Sequence, residues 1–233
     1  MTDAVVIGFD TATEDTAVGA TRNGEPLFEA SVGPQDGGRP QHAAVLLPEI
    51  ERAATAAGGW KRVERVAVVV GPGSFTGLRI GIATARALAQ GLGLHLAPVS
   101  TLAALARGLA GSTDGSRPLL PLIDARRGEV FAALFDAAGE QLWPPFVSSP
   151  EGLLERLSNL NETPLAGGDG ALRFRQQLVR GGAEIPDKAD PVHHVAAPEL
   201  CAIGARAETC GPSEVTPLYL RQPDAERWRV RDN

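Results

Sequence analysis

A chain of 233 residues with 43% hydrophobic content can fold as one large domain or two of about 100 residues each, and it buries a core without disulfide staples. Its formal net charge of −6 argues against autonomous nucleic-acid binding, which draws its affinity from a basic surface, so any nucleic acid would be met with a partner's help. No apolar run approaches the roughly 20 residues that span a bilayer. The start, MTDAVVIGFD, places an acid where a signal peptide would be basic, so the expectation is a soluble, cytoplasmic protein without membrane contact.

Val5 to Phe9 and Thr16 to Ala20 are short apolar runs, and Arg22-Asn23-Gly24-Glu25 carries the Asn-Gly hairpin signal into a third strand near Leu27 to Val32. After the loop Gly33 to Pro40, Gln41 to Ala57 has helical periodicity and stops at Gly58-Gly59. Val63 to Val70 is a β-branched run of the kind found in a strand covered on both faces. The loop GPGSFTG follows, then a long helix from Thr76 to Leu92, a strand at Leu94 to Pro98 and a helix from Thr101 to Ala110. The polar linker GSTDGSR, Gly111 to Arg117, separates an N-terminal lobe (1–110) from a smaller C-terminal lobe (111–233), whose last residues can pack back on the first.

The second lobe repeats the grammar. Leu119 to Ile123 ends in Asp124, Val130 to Phe135 pairs back across Arg127-Gly128, and Leu142 to Val147 adds a third strand. Ser149-Pro150-Glu151 starts a helix to Asn159. A strand at Pro164 to Ala166, the turn GGDG, a helix from Ala171 and a final helix from Pro198 complete a duplicated α/β architecture. Cys201 and Cys210 read as buried thiols on that one last helix.

GPGSFTG is neither a P-loop nor a nucleophile elbow: no lysine follows it, and Ser74 directly follows Gly73. Two readings stay open for its glycines, a tight strand-to-helix turn or an anion site built from exposed N–H groups. Asp10 in FDTAT, with Thr11 and Thr13, and Asp124 in IDARRGEV, with Arg126 and Arg127, are candidates for placing phosphate; for the hairpin acid, turn solvation is an equal alternative. The candidate nucleotide or phosphate set is Asp10, Thr11, Thr13, Gly71, Gly73, Ser74 and Asp124. The four histidines form no HxxxH or HExxH pair, so no metal site and no catalytic residue is assigned. The basic tail Arg227-Trp228-Arg229-Val230-Arg231 reads as a solvated end, with base stacking as the alternative.

The helix from Thr76 carries only Arg79 and Arg86, and Gly77, Gly81, Ala85 and Ala89 recur every four residues as a ridge without bulk. A helix apolar nearly all round needs cover nearly all round. With the alanine-rich helix before it, it is expected to form a protein–protein surface through His42, Leu46, Leu47, Ile50, Ala54, Gly77, Ile80, Gly81, Thr84, Ala85 and Leu88. On this reading His42 is a cap or an interface contact, and an arginine at Gly81 blocks docking while leaving the fold intact.

FDTATEDTAVGA, His42 followed by LLPEI, VAVVVGPGSFTGLRIGIATARALA, PVSTLAALA, LIDARRGEVFAALFD and PLYLR with Ala225 shortly after together resemble the TsaB (YeaZ) family. The match runs in order over most of the chain and is weakest between Glu151 and Thr216. The resemblance implies a two-lobed actin-like, Hsp70-like ATPase (ASKHA, RNase H-like) fold with duplicated mixed sheets. It also implies a role in making threonylcarbamoyladenosine next to the anticodon of tRNAs reading codons that begin with A. By the same resemblance the partners are the transferase TsaD, in a heterodimer, and the ATPase TsaE, with homodimers in isolation and tRNA met only through the complex. TsaD carries an HxxxH metal pair where this chain has Thr101 and Leu105, which implies a non-catalytic scaffold without cofactor, ATP or ADP entering only at a degenerate site or the complex interface. The alternative is an independent actin-like ATPase or a metallopeptidase-like enzyme.

Overall fold

The computed structural model describes residues 4–35 and 38–221; the Arg/Trp tail and Ala225 lie outside the described residues. β1 (Val5–Asp10), β2 (Thr16–Arg22) and β3 (Glu25–Val32) form an antiparallel meander, and β4 (Val63–Gly71) and β5 (His95–Ser100) extend it in parallel, giving the order β3-β2-β1-β4-β5. β6 (Leu119–Arg126), β7 (Glu129–Phe135), β8 (Gln141–Ser148) and β9 (Leu165–Gly167) repeat the plan as β8-β7-β6-β9, with β9 parallel to β6. Pro144 and Pro145 sit on β8, where an edge position tolerates the missing N–H and discourages a further strand.

The helices are α1 (His42–Ala56), α2 (Phe75–Leu92), α3 (Thr101–Ala110), α4 (Pro150–Leu157), α5 (Asp169–Arg173), α6 (Arg175–Arg180) and α7 (Ala197–Arg206). Their starts follow local chemistry. The hydroxyls of Ser74, Ser100 and Ser149 accept the N–H groups of Gly77, Ala103 and Gly152, capping α2, α3 and α4. The helix expected from Ala171 starts earlier and is split at Phe174 into α5 and α6. The two cysteines do not share a helix: α7 ends at Arg206, and Cys210 lies beyond it in a bridge to Leu96.

Period-2 alternation sorts the sheets into layers. Ile7 and Phe9 of β1 and Val66 and Val68 of β4 face α1 and α2, meeting Leu46, Ile50, Ala53, Ile82 and Ala85. Their neighbours Val6, Ala67 and Val69 face the opposite way, into a central core shared with α3, α7 and the inner face of the second sheet. The outer face of that sheet, through Leu120, Leu122, Ala132 and Leu134, packs on α4, α5 and α6. α7 lies directly on the first sheet because Gly8 and Gly19 leave it room: a Cβ on Gly8 would come 2.5 Å from Leu200, and one on Gly19 2.9 Å from Ala197.

Residues 215–221 run back across both lobes as a strap. Val215 is buried in the core beneath α2, and the Arg86 guanidinium donates to its carbonyl at 2.5 Å. The Leu218 N–H donates to the Val70 carbonyl at 2.7 Å, and Arg221 donates to the Ala125 carbonyl at 2.9 Å while pairing with Glu129. The chain thereby links the end of β4 to the β6–β7 hairpin.

Candidate functional site

Two surfaces hold the residues singled out from the sequence. The first is a cleft of about 620 Å³ between the lobes, lined by the β1–β2 loop, the start of α2, the β6–β7 hairpin and the strap. Its wall is unusually tight. The Ser74 N–H donates to the Ala12 carbonyl at 2.7 Å, and the Thr11 hydroxyl donates to the Gly77 carbonyl at 2.8 Å. A Cβ on Gly73 would stand 2.5 Å from the Ala12 oxygen, and one on Gly77 only 1.8 Å from the Thr11 oxygen. These glycines permit backbone-to-backbone contact between the loop and the end of β1. The tight-turn reading of GPGSFTG is the one this geometry favours.

Asp10 is fully buried behind that wall, its Oδ1 accepting the Ala12 N–H at 2.7 Å and its Oδ2 the Thr13 hydroxyl at 2.5 Å. Burial pushes its carboxyl up to about 6, against the lowering effect of those bonds. Of the seven residues expected to place phosphate, Thr13, Gly73, Ser74 and Asp124 line the cleft. Thr11 and Gly71 are buried like Asp10, and Gly71, at φ 118°, packs against the Leu218 carbonyl of the strap. Four of the seven thus face the cleft and three are buried in its wall, where the loop and the end of β1 are bonded to each other.

The opposite wall is a chain of charges. The Asp124 carboxylate, its side chain 6% exposed, pairs with Arg173 at 2.6 Å and Arg126 at 3.2 Å, and Arg126 reaches across the lobes to Glu14 at 2.8 Å. The Asp124 N–H donates to Asp169 at 2.9 Å, and burial pushes the Asp169 carboxyl up to about 6. Asp124 is thus an organised ion-pair centre, not a solvated turn. Arg126 and Arg127 are held at φ 61° and 56°, a left-handed conformation that non-glycine residues seldom adopt and that here turns the hairpin into the cleft. A second bridge joins Asp15 to His194 at 2.5 Å, and that hydrogen bond raises the His194 pKa. Glu14, Asp169 and Arg173 were not singled out in the sequence, since each acquires its role from a partner well along the chain, whereas PLYLR of the strap carries part of the family resemblance.

The second surface is the outer face of α1 and α2, and here the expected residues divide. His42, Leu46, Ile50, Ala54, Gly77, Gly81 and Ala85 are buried within the chain. The small-residue ridge faces inward: a Cβ on Gly81 would lie 2.5 Å from the Thr11 hydroxyl and 3.9 Å from the Phe9 ring, so an arginine there would break the fold and not merely block docking. His42 is neither a cap nor an interface contact. It shares a hydrogen bond with the Thr16 hydroxyl at 2.8 Å, and burial lowers its pKa. Ile80 is half-buried against the core. Leu47, Thr84 and Leu88 do reach the outer face, where with Trp60, Ala83, Ala87, Gly91 and Leu92 they line an apolar groove. Of the eleven residues expected to form the surface, Leu47, Thr84 and Leu88 line this groove, and the buried ones face the chain's own core.

Among the described residues no three His, Cys, Asp or Glu side chains group to hold a metal ion, and no helix is long and apolar enough to cross a membrane. Thr101 and Leu105 are buried in the first turns of α3. A model of the TsaD family, tRNA N6-adenosine threonylcarbamoyltransferase, matches residues 32–166. The tRNA threonylcarbamoyladenosine biosynthesis protein TsaB of Escherichia coli (strain K12) is 30% identical over 223 residues, 93% of this chain and 94% of its own length. The chain belongs to the TsaB family. A solved Pseudomonas aeruginosa protein, described as similar to peptidase YeaZ, superposes on this chain with a TM-score of 0.75 at 26% identity, covering 94% of this chain and 100% of that one. The ROK hexokinase of Thermus thermophilus superposes at 0.50 with 14% identity over 85% of this chain and 98% of its own, a likeness of fold alone. The chain thus has the two-lobed actin-like ATPase architecture expected of it.

Proposed function

We propose that this chain takes part in tRNA threonylcarbamoyladenosine biosynthesis as a non-catalytic subunit. It docks on the transferase TsaD through the outer face of α1 and α2 and activates it, with TsaE joining the pair and tRNA met through the complex. It uses no cofactor of its own and self-associates through the same face when alone. The observation that carries this reading is the groove between Leu47, Leu88 and Leu92, an apolar hollow open on the surface of an otherwise well-covered lobe. One feature agrees with it: where the resemblance places the TsaD metal pair, this chain holds Thr101 and Leu105, both buried.

The test is a reconstituted transfer reaction containing tRNA, threonine, bicarbonate, ATP, the threonylcarbamoyl-AMP synthase, TsaD and TsaE, with and without this chain, beside light scattering on the mixture. Modification that depends on the chain, together with a mixed complex, is expected. Undiminished modification without it, or ATP turnover by the purified chain alone, overturns the non-catalytic reading.

A further inference from the structure

Two neighbouring residues of the β1–β2 loop, residues 11–15, bridge to the second lobe at two different places. Glu14 pairs with Arg126 of the β6–β7 hairpin at 2.8 Å, and the Asp15 Oδ2 lies 2.5 Å from the His194 Nδ1. The same loop carries Thr13 and Glu14 into the cleft wall, so the two bridges hold that wall against the second lobe.

His194 is firmly seated. The 3-10 turn Pro191–His193 before it buries Val192 in the central core, and the His193 ring shares hydrogen bonds with the Pro186 and Asp187 carbonyls at 3.1 Å. The turn also sits tightly on β9, where a Cβ on Gly167 would come 2.7 Å from the Val192 carbonyl oxygen. Asp15 is confined as well: its side chain is 16% exposed, and a Cβ on Gly33 would meet its Oδ1 at 2.9 Å.

The two bridges respond differently to protons. Guanidinium and carboxylate both stay charged through the neutral range, so Glu14–Arg126 is constant there. An imidazole is charged only while protonated. The hydrogen bond to Asp15 raises the His194 pKa above its ordinary 6.5, so the contribution of this bridge is full below about pH 6.5 and is lost as the pH rises through the raised value. The charges that face His194 are Asp15 and Asp169, and those that face Asp15 from within the first lobe are Asp10 and His42. Burial keeps His42 neutral, whereas Asp10 and Asp169, each pushed up to about 6, ionise before His194 discharges. Loss of the His194 charge then leaves Asp15 and Asp169 against a neutral ring.

We infer that the Asp15–His194 bridge is a proton-gated latch: the charged imidazole holds the β1–β2 loop on the second lobe, and loss of its proton frees the loop and opens that side of the cleft. The His194 side chain is 56% exposed, so solvent screens the pair and the change in loop opening is a few-fold.

The experiment follows the isotope-labelled full chain by NMR, recording the titration of the His194 ring and the amide exchange of residues 11–16, corrected for its intrinsic pH dependence. The parent, His194→Gln, Asp15→Asn and Glu14→Gln are compared, each checked for a native circular dichroism spectrum. In the parent, loop opening should rise about threefold between about pH 6 and pH 8. His194→Gln and Asp15→Asn should lose that rise, and Asp15→Asn should return the His194 titration toward its ordinary value. Glu14→Gln should loosen the loop at both pH values and keep the rise. A parent without the rise refutes the latch, and so does a His194 that titrates at its ordinary value. A rise that persists in His194→Gln assigns the pH response to Asp10 or Asp169 and overturns the role of the imidazole.

Discussion

Replacing Gly77 by alanine adds one methyl group at the point where α2 touches β1. The new Cβ would stand 1.8 Å from the Thr11 carbonyl oxygen and 2.9 Å from its carbon, so the two backbones must part by more than about 1 Å. That movement strains two ties at once, the Thr11 hydroxyl to the Gly77 carbonyl and the Ser74 N–H to the Ala12 carbonyl, each contributing about 1 kcal/mol. It also lifts Leu78, 1% exposed, out of the central core, at a further cost of about 1–3 kcal/mol. The sum is about 3–5 kcal/mol, a fall in Tm on the order of 10 °C for a chain of this length. Thermal unfolding followed by far-UV circular dichroism measures it, with Gly108→Ala in α3 as the control. No atom lies within 4 Å of a Cβ there, and the better helix former should stabilise by about 0.5–1 kcal/mol. If Gly77→Ala unfolds within about 1 kcal/mol of the parent, the loop is not jammed on β1, and the argument that its glycines serve packing is refuted.

Asp10 supplies a pH dependence. Its folded pKa, about 6, lies above the ordinary 3.8, so the native state holds the proton more tightly, and the associated stability is present below about pH 4 and lost as the pH rises through 6. Asp10→Asn removes this loss; denaturant titrations should show the variant gaining on the parent between about pH 4 and pH 8 by up to about 3 kcal/mol, and a gap that does not change with pH would count against the burial of that charge. Val215→Ala should cost about 1–3 kcal/mol and leave the strap loosened, read as faster proteolysis of the C-terminal segment, because Val215 is 1% exposed in the core beside α2.

Much of the architecture was legible because local chemistry and long-range packing agree. Asn23-Gly24 marks a hairpin, the β-branched run Val63 to Val70 reads as a strand covered on both faces, and Ser149 before Pro150 marks a helix start. The errors share a cause. A ridge of Gly77, Gly81, Ala85 and Ala89 says that some backbone approaches closely; it does not say whose, and here it is the chain's own Thr11. Asp10 followed by hydroxyls looks like a phosphate site, but the same Thr13 hydroxyl and Ala12 N–H that could position a ligand satisfy the carboxylate internally. In the Glu14–Arg126–Asp124–Arg173 chain the outer links span 112 and 49 positions, distances over which no spacing rule operates.

The seat of α7 bears on when this chain can fold. β1 and β2 are made before α7, yet the side of their sheet marked by Gly8 and Gly19 is covered by Ala197, Leu200 and Cys201, and the Val70 carbonyl at the end of β4 takes the Leu218 N–H. A chain made only through β5 therefore has one side covered by α1 and α2 and an opposite apolar side that gains α3 next and α7 only after the second sheet has been made. The first lobe therefore reaches its finished packing only after the strands of the second sheet have been made, and until then the side that α7 will cover is open apolar surface.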